Sequence, residues 1–268
     1  MNTYVMSDIH GCFDKLQEML KKIEFTQEDQ LIIAGDYIDR GTQSYEMLNW
    51  ILNPPENVLL LCGNHDREFV TNVQLMQQVM ETEIKNFDIN SADAAKILYQ
   101  LTKLLMTDGN DDGPSLFDYY GTIGRLVDEH GITFKDLARW AVAIEDMPYL
   151  YSLMLGDRKC IIVHAGYIED ADKAGGSQIY GSNEEFYIYA REDAYLKGGI
   201  EHDMIIAGHT PTLAEDEFTY NNGDVFRYYD LDKDCIYYDI DCGCAYSGIR
   251  KNAKLACIRL EDEKVFYV

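Results

Sequence analysis

Near the start of the chain, three apolar runs each end in polar residues and a glycine: YVMSDIHG (4–11), LIIAGDYIDRG (31–41) and VLLLCGNHD (58–66). Between these runs, apolar residues recur at helical spacing in residues 13–23 and 47–52. This β-α-β-α-β pattern predicts a largely parallel sheet covered by helices. Because ligands collect at the carboxyl ends of strands in such sheets, the polar residues that end each run are candidates for a functional site.

The rest of the chain divides into a helical segment and a second group of strands. Residues 67–147 carry helical patterns, which include a capping box at Thr133 and Asp136 and an apolar stripe formed by Ile97, Leu98, Leu101, Leu104 and Leu105. Strand-like runs then return at Tyr149–Leu155, Cys160–Val163, Met204–Ala207, Val225–Tyr229, Cys235–Ile240, Lys254–Leu260 and Val265–Val268. We therefore predict a single α/β domain over residues 1–268 with a helical insertion over residues 67–147.

Composition and charge narrow the possible functions. The 268 residues contain 47 acidic and 23 basic side chains, for a formal net charge of −24, and 47% of the residues are hydrophobic. A folded protein with this charge lacks the broad basic surface that nucleic acid or an anionic membrane requires, so neither is an expected partner. Asp8 interrupts the position where a signal peptide would need an apolar core, and the seven cysteines mostly lie in strand-like runs. We expect a cytoplasmic protein with reduced thiols.

Four of the six histidines follow a predicted strand within a short polar motif. The motifs are Asp8-Ile9-His10-Gly11, Gly63-Asn64-His65-Asp66, His164-Ala165-Gly166 and Gly208-His209-Thr210, and a fifth motif without histidine is Gly35-Asp36-Tyr37-Ile38-Asp39-Arg40-Gly41. Asp8, Asp36 and Asn64 are 28 residues apart each time, as successive β-α units would place them. Carboxylate, amide and imidazole ligands without thiolate suit Mn²⁺, Fe or Zn²⁺. The pattern therefore predicts a metal site.

Two metal ions explain the number of candidate ligands better than one. A pair of ions needs a shared carboxylate, and such a pair activates water and stabilises both ends of an in-line displacement at phosphorus. Arg40 and a second arginine could bind phosphate oxygens. His65, if it is not a ligand, could protonate the leaving alkoxide. The residues thus indicate a phosphoesterase.

The motifs resemble the three signatures of the calcineurin-like metallophosphoesterases. The Asp-Arg-Gly ending at residues 39–41 most resembles the phosphoprotein phosphatase branch, in its small bacterial form. The resemblance continues through the later histidine motifs to residues 239–243, and residues 190–192 resemble the segment that carries a second phosphate-binding arginine. It implies a two-sheet β-sandwich flanked by helices, and attack on phosphorus by a metal-bridging hydroxide without a covalent phosphoenzyme.

The resemblance also assigns roles to individual residues. It implies two divalent metal ions, for which we expect Mn²⁺ with Fe or Zn²⁺ as alternatives, and the metal ligands Asp8, His10, Asp36, Asn64, His164 and His209. Asp36 would bridge the two ions. The catalytic residues implied are His65 as general acid, Asp39 to orient it, and Arg40 and Arg191 to hold the phosphate. Asp66 departs from the glutamate that is usual in phosphoprotein phosphatases.

We predict a serine/threonine protein phosphatase that acts on phosphorylated proteins or peptides. A net charge of −24 favours phosphopeptides with basic flanks over a substrate with several negative charges. The alternative is a hydrolase of dinucleoside polyphosphates, of the diadenosine tetraphosphate type, with the same two-metal chemistry and a nucleotide as its partner. A catalytically inactive binding module is a third hypothesis, and degenerate motifs, which would mark it, are absent from this sequence.

A different phosphatase chemistry is suggested by one spacing only. Cys244 and Arg250 match the C-x₅-R pattern of cysteine phosphatases. A spacing of this kind arises readily by chance in a chain with seven cysteines, and a reactive thiolate needs an electropositive helix N-terminus, which the strand-like sequence after Arg250 does not predict. We therefore do not expect Cys244 to be a nucleophile.

Overall fold

The computed structural model describes residues 1–107, 116–170, 180–192, 194, 200–213 and 221–268. The strands in these residues are β1 (Thr3–Met6), β2 (Gln30–Ile33), β3 (Val58–Leu60), β4 (Leu150–Leu155), β5 (Arg158–Val163), β6 (Met204–Ala207), β7 (Phe226–Asp230), β8 (Cys235–Asp239), β9 (Ala256–Arg259) and β10 (Lys264–Tyr267). The helices are α1 (Phe13–Lys22), α2 (Ser44–Ile51), α3 (Asn64–Glu83), α4 (Ala92–Thr107), α5 (Thr122–His130), α6 (Phe134–Glu145) and α7 (Asn183–Tyr189), with a 3₁₀ turn at Cys244–Tyr246.

The strands form two mixed sheets of five strands each, in the orders β10-β9-β1-β2-β3 and β4-β5-β6-β8-β7. In the first sheet β1, β2 and β3 are parallel, and β9 and β10 extend it in antiparallel fashion. In the second sheet β5, β6 and β8 are parallel, and the edge strands β4 and β7 are antiparallel to their neighbours. Each sheet thus has a parallel centre, where successive strands end side by side.

The alternation of side chains along the central strands explains how the layers pack. Val5 and Ile32 of the first sheet share an apolar cluster with Ile162 and Ile206 of the second, which places this cluster between the sheets. Neighbouring residues point the other way, as Met6 does toward the helices. Strands covered on both faces are apolar at successive positions, which is why the sequence shows continuous runs here. The predicted two-sheet sandwich flanked by helices is confirmed.

Each of the ten predicted strands is present, with ends that differ by a few residues at most. Residues between β3 and β4 form the helices α3, α4, α5 and α6, and α3 begins at Asn64 within the third motif. We retain the division into one domain with a helical insertion over residues 67–147 as a proposal. No helix in the described ranges is long and apolar enough to cross a membrane, and the cytoplasmic location stays a prediction. All seven cysteines are free thiols.

Helix α4 is present as predicted, but its apolar stripe coincides with the buried face only in part. Ile97 and Leu104 of the stripe are 64% and 61% exposed. The buried residues are Ala95, Leu98, Tyr99 and Thr102, of which Leu98 belongs to the stripe. The hydroxyl of Tyr99 donates a hydrogen bond to Asp118 Oδ2 over 3.0 Å, and this buried polar contact fixes the rotation of the helix. The hydrophobicity of the long aliphatic side chains was therefore not a sufficient guide to which face of α4 is buried.

The capping box of helix α6 is present as predicted. The Thr133 hydroxyl accepts from Asp136 N–H, and the Asp136 carboxylate accepts from Thr133 N–H over 2.8 Å. We expect Thr133→Ala to lower the free energy of unfolding by about 1 kcal/mol, because it leaves an N-terminal amide of the helix without its acceptor. Urea denaturation should show a lower midpoint with an unchanged slope.

The matched control for this change is Thr82→Ala on helix α3. Thr82 is exposed, and its hydroxyl donates only to Gln78 O of its own helix. Alanine is the better helix former at such a position, so this variant should not lose stability. Equal losses in the two variants would show that the capping box contributes nothing specific.

Candidate metal centre

The predicted site residues lie directly after four strands and at the start of one helix. They are Asp8 and His10 after β1, Asp36, Asp39 and Arg40 after β2, Asn64 and His65 in the first turn of α3, His164 after β5 and His209 after β6. Asp36 follows a strand of the first sheet and His164 a strand of the second, and Asp36 Oδ2 lies 3.5 Å from His164 Nε2. The two sheets therefore meet at this point. Parallel pairing therefore brings the ends of both sheets to one place, and Arg191 follows α7 nearby.

Tight turns follow each of these strands. Left-handed backbone conformations, with φ between 47° and 74°, occur at Asp8, His10, Asp36, Asp39, Arg40 and His209. Aspartate and histidine tolerate this region better than most residues, although it remains a costly conformation outside glycine. Such strain concentrates at functional sites. Here it turns the side chains of successive residues into the space between the strand ends.

Two glycines permit the close packing of carboxylates against backbone. A Cβ atom at Gly208 would collide with Asp8 Oδ2 and with the Ser7 hydroxyl. A Cβ atom at Gly63 would collide with Asp36 Oδ1 and would lie 2.6 Å from the Asp36 backbone nitrogen. The glycines of these motifs are therefore required by the positions of the two carboxylates.

One group of candidate metal ligands contains Asp8, His10 and Asp36. His10 Nε2 lies 3.4 Å from Asp36 Oδ2 and 3.9 Å from Asp8 Oδ1. His10 Nδ1 contacts the carbonyl oxygen of Ile38 at 2.8 Å and donates to it, so Nε2 of the neutral ring carries a lone pair. That lone pair faces carboxylate oxygens, and Asp8 Oδ1 is buried without a hydrogen-bond partner. A cation between these atoms would offset the repulsion between the lone pair of His10 Nε2 and the carboxylate oxygens of Asp8 and Asp36.

The second group contains Asn64, His164, His209 and the same Asp36. His164 Nδ1 donates to the carbonyl of Ala34 over 2.8 Å, which again leaves a lone pair on Nε2. This Nε2 atom lies 3.0 Å from Asn64 Oδ1 and 3.2 Å from His209 Nδ1. His209 Nδ1 also lies 3.0 Å from Asn64 Oδ1. Three acceptor atoms thus converge on one point.

These residues fit a pair of divalent metal ions. Ligand atoms at about 2.1 Å from a common ion stand roughly 3–3.5 Å apart, close to the separations in both groups. Burial lowers the pKa of His10 and of His209 well below the usual value, so both rings are neutral and can coordinate. The carbonyl partners of His10 and His164 fix the ring orientations, as outer hydrogen bonds commonly do at metal sites. Asp36 belongs to both groups and lies where a bridging ligand is needed.

His65 differs from the other histidines. Its Nε2 atom lies 3.8 Å from Asp36 Oδ2, within reach of a ligand position, while Nδ1 donates to Asp39 Oδ2 over 2.7 Å. Burial alone would lower the pKa of His65, but the carboxylates of Asp36 and Asp39 outweigh it and raise the pKa. A ring that retains both protons has no lone pair for a metal and can donate a proton. The partner of Nδ1 thus distinguishes the two rings: a carboxylate stabilises the protonated form of His65, whereas a backbone carbonyl faces the neutral His10.

Arg40 lies against His65 on the open side of the site. Its Nη2 atom is 3.4 Å from His65 Nε2, and its other nitrogen, Nη1, donates to the hydroxyl of Tyr246. The guanidinium carbon lies 5.3 Å from the centre of the Tyr120 ring, within cation–π distance. Arg40 and a protonated His65 both present donors to the same space, which suits an anion.

Arg191 lies on the side of the second ligand group. It is exposed and donates to the Thr210 hydroxyl over a long 3.5 Å. Burial and the neighbouring His164 lower the pKa of His209, and the positive charge of Arg191 lowers it further. The two arginines thus lie near different ligand groups and place two positive charges beside the site of an acidic protein.

Asp66 contributes to the site in a way that the sequence analysis missed. Its carboxylate accepts backbone hydrogen bonds from Asp36 over 2.7 Å, from Tyr37 over 3.1 Å and from Gly63 over 2.9 Å. It therefore ties the turn after β2 to the start of α3. The signal was present in the sequence, since an acidic residue three positions after the N-cap Gly63 is typical of a capping interaction.

Thr122, Tyr120 and Tyr246 were also not predicted. The Thr122 hydroxyl donates to Asp39 Oδ1 over 2.6 Å, and the two tyrosines contact Arg40. Thr122 is 83 residues from Asp39 in the chain and belongs to no pattern shared with it. The alternative nucleophile Cys244 is buried, and its hydrogen bond with Cys12, together with burial, raises its pKa well above the usual value, which is inconsistent with a reactive thiolate.

A comparison with protein-family models matches the calcineurin-like phosphoesterase family over residues 1–245. The chain belongs to this family. For a calcineurin-like phosphoesterase, the family implies a dinuclear site for divalent metal ions, and the two ligand groups around Asp36 agree with it. The chain therefore carries the domain of a family of metal-dependent phosphoesterases.

Curated relatives of this calcineurin-like phosphoesterase are named symmetrical bis(5'-nucleosyl)-tetraphosphatases. The protein from Buchnera aphidicola subsp. Baizongia pistaciae is 34% identical over 104 residues, which are 38% of this chain and 37% of that protein. The protein from Vibrio parahaemolyticus is 46% identical over 67 residues, which are 25% of each. A crystal structure assigned as a diadenosine tetraphosphatase covers 100% of this chain and 92% of its own, with a TM-score of 0.51 and 14% identity, and shows a shared fold.

The prediction of a serine/threonine protein phosphatase is wrong, as is that of a phosphoprotein or peptide partner. The curated relatives carry the name of a nucleotide hydrolase instead. The error came from the Asp-Arg-Gly ending at residues 39–41, which resembles the phosphoprotein phosphatase branch, and from the net charge, which is a property of the whole surface. Arg40 lies within 3.4 Å of His65, and local charge of this kind decides which anion enters a site.

Proposed function

We propose that this calcineurin-like phosphoesterase hydrolyses dinucleoside polyphosphates of the diadenosine tetraphosphate type. One observation supports this substrate above others: curated relatives that are 34% and 46% identical over 104 and 67 residues are named symmetrical bis(5'-nucleosyl)-tetraphosphatases. A symmetrical reaction adds one water across the central anhydride of diadenosine tetraphosphate and gives two molecules of ADP. The bond that breaks joins one central phosphorus atom to the oxygen that bridges the two central phosphorus atoms. The oxygen of water bonds to that phosphorus, and the bridging oxygen leaves with the second ADP, where it can accept a proton.

The proposed ligands of the two ions are Asp8, His10, Asp36, Asn64, His164 and His209, with Asp36 shared between the groups. His65 lies within ligand distance of His10 and Asp36 as well, and we assign it to proton transfer instead. Mn²⁺ is the metal that we propose, with Fe or Zn²⁺ as alternatives. When bound, the ions would supply charge neutralisation at phosphorus and an activated water as nucleophile. The protein contributes imidazoles whose Nδ1 atoms are held by backbone carbonyls, and the two buried carboxylates of Asp8 and Asp36.

His65 is proposed to protonate the leaving phosphate oxygen. Its Nδ1–H bond to Asp39 directs Nε2 toward the space beside Asp36 and stabilises the protonated ring. Arg40 and Arg191 are proposed to bind the phosphate chain, because each presents guanidinium donors beside one ligand group.

The test is a parallel assay with purified, Mn²⁺-loaded protein. The substrates are diadenosine tetraphosphate and peptides that carry phosphoserine, phosphothreonine or phosphotyrosine, with products separated by anion-exchange chromatography. We expect kcat/KM on the dinucleotide to exceed that on each peptide by at least about 100-fold, a difference of roughly 2.7 kcal/mol in transition-state binding. ADP should be the sole nucleotide product.

The control for a contaminating hydrolase is Asp36→Asn, purified in the same way. Release of AMP and ATP would exclude symmetrical cleavage, and faster turnover of any phosphopeptide would exclude the proposed substrate. Replacing Mn²⁺ with Fe²⁺ or Zn²⁺ in the same assay compares the alternative metals.

A further inference from the structure

Both oxygens of the Asp39 carboxylate are engaged, and they join two different parts of the fold. Asp39 Oδ2 accepts from His65 Nδ1 over 2.7 Å. Asp39 Oδ1 accepts from the Thr122 hydroxyl over 2.6 Å. Thr122 begins helix α5, which lies between β3 and β4 and within the proposed insertion. The pair of residues that we assign to proton transfer, Asp39 and His65, is thus completed by a residue of the proposed insertion, a segment with no role predicted from sequence.

The direction of the Thr122 hydrogen bond is fixed by its surroundings. Arg125 Nη2 donates to the Thr122 oxygen over 3.1 Å, so that oxygen serves as an acceptor toward Arg125. Its single proton is then free to point at the Asp39 carboxylate, which can only accept. Arg125 is itself held by the carbonyl of Tyr120, to which Nη1 donates over 2.8 Å. The guanidinium charge therefore strengthens the bond from Thr122 to Asp39.

Helix α5 is anchored at the end that carries Thr122. The Asp118 carboxylate accepts from the backbone N–H groups of Ile123 and Gly124, each over 2.9 Å, and from the Tyr99 hydroxyl over 3.0 Å. Tyr99 lies on helix α4, so two helices fix the first turn of α5. Thr122 is 2% exposed. Its hydroxyl is consequently held at one position and shielded from water.

We propose that Thr122 is a positioning residue for the acid His65 and acts through Asp39. A carboxylate bound at one oxygen can rotate and carry its imidazole partner with it, whereas a carboxylate bound at both oxygens is fixed. His65 Nε2 then keeps its place beside Arg40. This inference rests on the proposed function, because it gives His65 the task of protonating the leaving group.

The variants that test it are Thr122→Val, which removes the hydroxyl and keeps the shape, and Thr122→Ser, which restores the hydroxyl. Thr102→Val is the matched control, since Thr102 is a buried threonine of helix α4 whose hydroxyl donates only to Leu98 O. Thr122→Ala serves as a second deletion of the hydroxyl if Thr122→Val does not fold. Kinetic constants are measured on Mn²⁺-loaded protein, and NMR spectra on Zn²⁺-loaded protein, because paramagnetic Mn²⁺ would broaden the signal of a proton so close to the proposed site.

The first readout is kcat and KM on diadenosine tetraphosphate and on a pair of aryl phosphates. We expect Thr122→Val to lower kcat by about 10- to 100-fold on phenyl phosphate, with little change in KM. The loss should be smaller on 4-nitrophenyl phosphate, whose leaving group needs less help from an acid. Thr122→Ser and Thr102→Val should stay close to wild type. Unchanged kcat on phenyl phosphate, or an equal loss in Thr122→Ser, would overturn the inference.

The second readout does not depend on activity. The Nδ1–H proton of His65 is bonded over 2.7 Å to a buried carboxylate, so it should give a downfield, slowly exchanging proton NMR signal in wild type. We expect this signal to be lost or to exchange faster in Thr122→Val and to remain in Thr122→Ser. An unchanged signal in Thr122→Val would overturn the role of Thr122. If wild type hydrolyses no dinucleotide, the proposed substrate fails, and the NMR comparison still tests Thr122.

Discussion

Asp36→Asn is expected to lower kcat/KM on diadenosine tetraphosphate by about 10³- to 10⁴-fold, since it removes the one carboxylate shared by both ligand groups. Metal ions contribute several kcal/mol of charge stabilisation at a phosphoryl transition state, and each 1.36 kcal/mol corresponds to a factor of ten. An amide is neutral and binds two divalent ions poorly. The loss should persist at high Mn²⁺ concentration, and chelation of wild type should reproduce it.

Asp36→Asn should also lower the affinity for metal without lowering the stability of the metal-free protein. In the absence of metal, the Asp36 carboxylate is buried near those of Asp8 and Asp66, and burial together with these charges raises its pKa well above the usual value. Removal of this charge should leave the metal-free protein at least as stable as wild type. Wild type should gain about 2.7 kcal/mol when Mn²⁺ is present at a hundred times its dissociation constant, and Asp36→Asn should gain far less.

Thermal unfolding of both proteins with and without Mn²⁺ measures this difference. The control is Asp203→Asn, because Asp203 is also a buried acid but precedes β6, at the end opposite His209. Asp203→Asn should retain the response to Mn²⁺. A response of wild-type size in Asp36→Asn would contradict its assignment as the shared ligand, whatever the activity.

Much of the fold followed from simple patterns. The central strands are covered on both faces, so their residues are apolar without interruption and could be read directly from the sequence. The motif residues lie together because parallel strands end side by side, and Asp8, Asp36 and Asn64 each follow or begin an element at that end. Local sequence and strand topology therefore sufficed to place these residues.

The remaining features depend on contacts that no local pattern encodes. The rotation of α4 is set by the hydrogen bond from Tyr99 to Asp118, and hydrophobic periodicity cannot register a single buried polar pair. Thr122 contacts Asp39 although the two residues are 83 positions apart in the chain. The substrate was misjudged for a related reason, since a net charge of −24 describes the whole surface and carries no information about the guanidinium of Arg40 beside the metal ligands.

His65→Asn is expected to lower kcat on phenyl phosphate by about 10²- to 10⁴-fold, the range for loss of a general acid. His65 Nε2 lies 3.8 Å from Asp36 Oδ2, so a ligand role and an acid role predict similar losses of activity. The metal response distinguishes them. If His65 is the acid, His65→Asn should keep the wild-type increase in melting temperature with Mn²⁺, because the six proposed ligands remain.

His202→Asn is the matched control for this variant. His202 also contacts an aspartate, Asp234, over 2.7 Å, but its side chain is 76% exposed and lies outside the site, so both activity and metal response should be unchanged. Loss of the Mn²⁺ response in His65→Asn would indicate that His65 is a metal ligand. The assignment of His65 as the acid that protonates the leaving group would then be wrong. The raised pKa of His65 argues for the opposite result, because a metal ligand must give up the proton that Asp36 and Asp39 stabilise against the cost of burial.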